Sequence, residues 1–282
     1  MLTIRNISQS LKSFLPNQPK KVYSSVGKCI YCNSSDDLSD EHIIPFGLGG
    51  RLELPESSCQ GCSKKTSTFE HTCLRTMYGP LRLLYDLPSR RKKSRPRTLP
   101  LKVKFNQEDD EWELTEIEQE RYPFLVTFPY FPMPNLLNEN SKDEVRGSVT
   151  NRLWIRGASP NYVFKDLLQD LTLKLEAHSI MPEAKAHIEE FCQMLAKIGY
   201  SFAVAELGSD SFRPFLIPHI IDKRLENCGD YMGSLGRDET PSDNLHELSI
   251  CDGFSPTYVT VRIRLLAKLG TPTYYVVAGS RS

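Results

Sequence analysis

The chain has 282 residues, 35 of them acidic and 35 basic, with 39% hydrophobic and 25% charged. That composition belongs to a globular chain long enough to bury a core in one large or two modest domains, and with no run of about 18 apolar residues it excludes a transmembrane helix. The zero net charge conceals an uneven distribution. Residues 1–100 carry 16 Lys and Arg against 8 Asp and Glu, a net of +8, and the remainder carries 19 against 27, so a polyanionic partner is expected for the first third.

In chain order, residues 1–27 read as an N-terminal arm. Leu2, Ile4, Ile7, Leu11, Phe14 and Leu15 are spaced as on one amphipathic helix. The stretch lacks the continuous apolar core and cleavage site of a secretory signal, so a reducing cytoplasm is the expected compartment. Residues 28–87 hold the metal-like and proton-handling features. "SDEHIIPFGLGG" at 39–50 reads as a strand running into a glycine turn, and a second strand is expected near "RLEL". Residues 63–78 have helical spacing, with Phe69, Cys73 and Met77 on the core face and Ser63, Thr66 and Glu70 on the neighbouring one. "PSRRKKSRPRTLP", 88–100, is proline-flanked and basic, a linker or exposed strap.

From residue 101 short strands are expected in "LKVKF", "EWELTEI", "FLVTFPYF" and "TNRLWIRG". Helices are expected over 162–178 and over 182–199, the latter started by Pro182 and stopped by Gly199. More strands are expected in "YSFAVAEL", "LHELSIC", "TYVTVRIRLLA" and "PTYYVVAG". The fold class is therefore α+β: a small zinc-stapled ββα unit followed by a mixed α+β domain over 101–282.

Of eight cysteines, Cys29, Cys32, Cys59 and Cys62 follow C-x2-C-x26-C-x2-C. A two-residue gap lets both sulfurs of a pair face one ion, and two such knuckles complete a tetrahedral thiolate shell. A four-thiolate site is closed and therefore structural, and zinc is the expected ion. Cys73, Cys192, Cys228 and Cys251 read as buried thiols. His178, His187, His219 and His246 stand singly and read as packing or surface residues.

Between the knuckles lie Glu41 and His42, then Ile43-Ile44-Pro45, then Gly49-Gly50. With Cys29-x-x-Cys32, "EHIIP" at 41–45, "GG" at 49–50 and Cys59-x-x-Cys62 opening a helix, the segment from about 28 to 80 resembles the HNH endonucleases, the zinc-knuckle branch of the ββα-metal nucleases. The resemblance extends to a subgroup of bacterial HNH proteins of similar length, through "TSTFEH" and "PSRRKKSRPR".

The resemblance implies a metal-dependent endonuclease that hydrolyses phosphodiester bonds of nucleic acid, with DNA the expected polymer. His42 would be the general base and Glu41 a ligand of a catalytic divalent cation, Mg2+ or another oxygen-preferring ion. Lys64, Lys65, Arg90, Arg91, Lys92, Lys93, Arg95 and Arg97 would grip phosphates. Two positions depart from the family pattern. Ser63 stands where His or Asn often supplies a second metal ligand, and "LELPESSC" has no Asn to brace the base. Glu70 is the favoured replacement ligand, with His71 the alternative, and Glu56 or a serine would have to brace His42. These departures keep a second expectation open: a catalytically degenerate zinc module that binds nucleic acid or a protein partner. A third is that the acidic C-terminal part covers the basic face.

Overall fold

The computed structural model describes residues 19–90, 93, 95–108, 110–138, 152–158, 163–235, 237 and 239–281. The expected helix within the arm, and Arg91 and Lys92 of the strap, lie outside the described residues. The chain is α+β, with helices and strands mixed in open sheets. No helix among the described residues is long and apolar enough to cross a membrane.

The first unit is a small sheet of β1 (Lys21–Val22), β2 (Leu38–His42) and β3 (Leu52–Cys59), in the order β1-β3-β2, followed by α1 (Gln60–Thr72). β2 and β3 pair antiparallel, with Glu41 opposite Leu54 and His42 opposite Glu53. The turn between them is held by glycine. A Cβ on Gly50 would lie 2.0 Å from the Ile44 carbonyl oxygen, and Gly49 has φ +85°, so other residues would clash or strain there. The helix expected over 63–78 begins earlier, at Gln60. Its last turn, Cys73–Met77, widens into a π-turn before α2 (Gly79–Leu84). Phe69, Cys73 and Met77 are buried as their spacing predicts.

The second part holds β4 (Thr98–Lys104), β5 (Glu113–Glu118), β6 (Phe124–Pro129), β7 (Leu153–Ala158), α3 (Phe164–Lys174), β8 (Ser179–Met181) and α4 (Ile188–Leu207). Then come β9 (Phe212–Pro214), α5 (Ile217–Ile221), α6 (Cys228–Tyr231), β10 (Met232–Ser234), β11 (Glu247–Cys251), β12 (Tyr258–Arg264) and β13 (Tyr274–Arg281). The main sheet runs β10-β13-β12-β11, all antiparallel, with β9 also on β13. The end of the strap, Thr98–Pro100, is already strand β4.

One expectation is overturned. The helix read over 182–199 and the strand read in "YSFAVAEL" are one helix, α4, which starts six residues later and runs through Gly199. Pro182 follows strand β8 and opens no helix. Gly199 is a contact point: a Cβ there would lie 2.6 Å from Cγ1 of Val276 on β13, so the glycine lets helix and sheet approach. Residues 191–204 of α4 are all buried, which erases the one-sided pattern that marks a surface helix. The helix read over 162–178 is shorter, ending at Lys174, with Glu176 at φ +51° behind it.

α4 lies between α1 and the main sheet. One continuous cluster of buried side chains joins Cys29, Ile43, Leu54 and Phe69 of the first unit to Phe191, Ile198, Val261 and Val276 of the second. Leu101, Val103, Ile117, Leu167 and Leu171 form a separate small cluster under β4, β5 and α3. Lysines of the arm and of the first unit also meet acids of the second part: Lys21 Nζ lies 2.8 Å from Glu206 and Lys28 Nζ 3.0 Å from Asp210.

Candidate functional site

The four knuckle sulfurs come together as their spacing predicts. The Sγ atoms of Cys29, Cys32, Cys59 and Cys62 all lie within 4.8 Å of one another, and Cys32 and Cys59 are 3.6 Å apart. Zn–S bonds of about 2.3 Å in a tetrahedron put sulfurs roughly 3.8 Å apart, and a disulfide needs about 2 Å. The geometry is thus compatible with one structural zinc-type ion. Cys59 is the N-cap of α1, where the Cys62 backbone amide draws its thiol down to about 7, favouring the thiolate that a metal requires. Cys29 and Cys62 are buried and Cys32 is exposed, so the cluster closes the rim of the unit.

Glu41 and His42 close β2, one turning inward and one partly outward. Glu41 is buried, and Oε2 accepts a hydrogen bond from Tyr31 Oη at 3.2 Å. His42 keeps a quarter of its side chain exposed, and its Nδ1 lies 3.6 Å from Glu53 Oε1 across the strand pair. Glu53 therefore faces the histidine. Glu56, considered for that place, instead bonds the Ser25 hydroxyl. The Phe46 ring packs on His42 at 5.5 Å between centroids. Burial pushes the imidazole pKa below its ordinary 6.5; Glu53 and Glu41 oppose this, while Lys197 and Arg90 add to it. The imidazole is therefore neutral at pH 7, as a proton acceptor must be.

Of the two replacement ligands, Glu70 turns towards Glu41, and His71 turns away and is exposed. The two carboxylates converge, and at the point of convergence stands an ammonium. Lys197 of α4 has no exposed surface; its Nζ lies 2.5 Å from Glu41 Oε1 and 2.8 Å from Glu70 Oε1. It also donates to the backbone carbonyls of His42 and Ile43. Three ammonium protons thus meet four acceptors. Glu70 Oε1 is the one held by charge without an aligned hydrogen bond. Burial alone would lower the Lys197 pKa, but Glu41 and Glu70 outweigh it and raise it, so the group stays charged. Burial pushes the Glu70 carboxyl up, and Lys197 pulls it back.

Neither motif nor spacing singles out Lys197. Its signal in the sequence is a lone lysine inside "FCQMLAKIGYSFAVA", where an unpaired charge would be prohibitive. Only the fold shows which acids answer it.

A cleft of about 760 Å3 opens beyond α1, lined by His71, Arg75, Arg82, Arg90, Arg95 and Lys185 among others, with Glu183 as an acid in its wall. Arg82 donates to the carbonyls of Gly47, Leu74 and Pro88 at 2.7, 3.1 and 3.2 Å, tying the glycine turn to the strap. Arg95 pairs with Asp86 and bonds the Leu87 carbonyl, so it anchors the strap. Arg90, Lys93 and Arg97 are exposed, as are Lys64 and Lys65 on α1. Arg90 lines the cleft, and His42 does not.

Comparison with family models, curated proteins and solved structures gives no match. The functional reading therefore rests on these residues and on the resemblance they carry.

Proposed function

We propose that the chain is an HNH-type endonuclease acting on nucleic acid, with His42 as the general base. The observation that supports this most is a neutral, partly exposed histidine at the end of β2 in a cysteine-stapled ββα unit, facing Glu53 across the strand pair. A phosphate held beside the exposed part of the His42 ring would bring a water to it. The base takes one proton, the water oxygen bonds to phosphorus, the ester oxygen leaves, and solvent returns a proton to it. Arg90 and the flanking basic residues would offset the charge that builds on the phosphate. DNA is the favoured polymer, and the cytoplasm is the compartment in which four reduced thiolates would persist.

The resemblance also implies a catalytic divalent ion on Glu41 and Glu70. Both carboxylates are engaged with Lys197, whose side chain has no exposed surface, so this arrangement does not fit an ion open to a phosphate. Hydrolysis is therefore assigned to His42 and the exposed basic residues of α1 and the strap.

The same observation favours a second reading, a zinc module that binds nucleic acid without cutting it. Incubation of the full chain with plasmid DNA and with RNA, beside His42→Ala, separates the two. The nuclease reading expects cutting that falls by about 10²–10⁴-fold in the variant. Equal cutting by both proteins, or none by either, rejects it. The binding reading expects salt-sensitive retention without cleavage, and Arg90→Ala should lower the slope of log K against log salt by about 0.9 on duplex DNA.

A further inference from the structure

We propose that Lys197 is the resident cation of the Glu41–Glu70 pair, and that the chain takes no divalent ion there. The inference deepens the nuclease reading and rests on it only for the identity of the ion displaced.

Two inward carboxylates 2.5 and 2.8 Å from one atom, with two backbone carbonyls on the same atom, form an all-oxygen shell of the kind that hard cations take. Here the cation is covalently part of the chain. It arrives from the middle of α4, a helix whose neighbours on every side are buried, and its side chain has no exposed surface. A divalent ion would have to expel the ammonium into an apolar interior where no other acid is paired with it among the described residues. Burying an unpaired charge is strongly unfavourable. The lysine therefore holds the site against metals by position as well as by charge.

The carbonyl contacts give the ammonium a second task. By holding the His42 and Ile43 carbonyls it fixes the end of β2 against α4, and so sets where the His42 ring stands relative to Glu53. Lys197 is a positioning residue, too deep to touch a phosphate. Any cleavage by the chain should then proceed without added divalent metal as long as the four-cysteine site is filled.

The test is ion binding, which does not depend on cleavage. The zinc-loaded full chain is titrated with Mn2+, read by electron paramagnetic resonance of the free ion, for wild type, Lys197→Met and Lys197→Met/Glu70→Gln. The expected result is no saturable Mn2+ binding in wild type, a site in Lys197→Met on the order of 100-fold tighter than the weakest binding the titration can detect, and its loss in the double variant. A saturable wild-type Mn2+ site abolished by Glu70→Gln would overturn the proposal. So would a folded Lys197→Met protein that gains none. Should Lys197→Met lose its fold, recovery of its thermal transition by millimolar Mn2+ or by Glu41→Gln/Glu70→Gln supports the proposal, and failure of both overturns it. A chain without nuclease activity that behaves as expected here would reject the nuclease reading and leave the resident cation standing.

Discussion

Two places in the first unit are built to hold positive charge, and they do so in opposite ways. The four-cysteine cluster sits at the rim, partly exposed, and its thiols converge on a point compatible with a zinc-type ion taken from solution. The Glu41–Glu70 pair sits inside, and the chain fills its point of convergence from within, with Lys197. A site that borrows its cation couples folding to metal supply. A site that carries its own couples one part of the fold to another. The same small sheet and helix thus depend on solution chemistry at one end and on α4 at the other.

The largest break in this contrast should come at the rim. Cys59→Ser/Cys62→Ser, or extraction with a strong chelator, should unfold the first unit, because a structural zinc supplies on the order of 10 kcal/mol of binding free energy. Zinc content and the thermal transition, measured together, check this; an unchanged transition in zinc-free protein would show that the cluster is dispensable. The interior should answer next. Lys197→Met leaves two buried carboxylates without their partner, an expected cost of about 3–5 kcal/mol. Denaturant unfolding should show that Glu41→Gln/Glu70→Gln recovers part of it, and purely additive losses would deny the coupling.

A smaller effect sharpens the comparison by pH. His246 Nδ1 accepts from the Leu266 amide at 3.1 Å, which leaves Nε2–H to donate to the Leu48 carbonyl at 2.9 Å. The neutral ring is thus fully used in clamping the glycine turn, and burial draws its pKa down to about 4. Because the folded value lies below the unfolded 6.5, the unfolded chain takes the proton first as pH falls. The clamp's contribution is whole above 6.5 and lost progressively towards pH 4, about 3 kcal/mol in all. Unfolding free energies across pH 4–7 should show this slope in wild type and a shallower one in His246→Gln.

The sequence made the rim legible and the interior only in part. Cysteine spacing is local, so the knuckles could be read directly, and "EHIIP" with its glycines placed the strand and the turn. Helical angles favour Glu70 over His71 as the inward residue, and Glu70 does turn to Glu41, where both acids meet Lys197. Helix α4 was not legible. Its burial on all sides removed the periodicity, and Gly199, a usual stop, is there for contact with Val276. Glu53 as the partner facing His42 depends on strand register, which spacing does not reveal. Lys197 lies 155 residues from the carbonyl of His42 that it bonds, so nothing local could announce the pairing.

The continuous core has a consequence for how the chain can be divided. Ile43, Leu54 and Phe69 pack in the same cluster as Phe191 and Val276, and the acids beneath them are neutralised from α4. Cut out as a fragment, the cysteine-stapled hairpin and helix would carry an oily face and two unanswered carboxylates into water. It is a lobe and not a cassette: transplanted to another scaffold, it would have to bring its lysine with it.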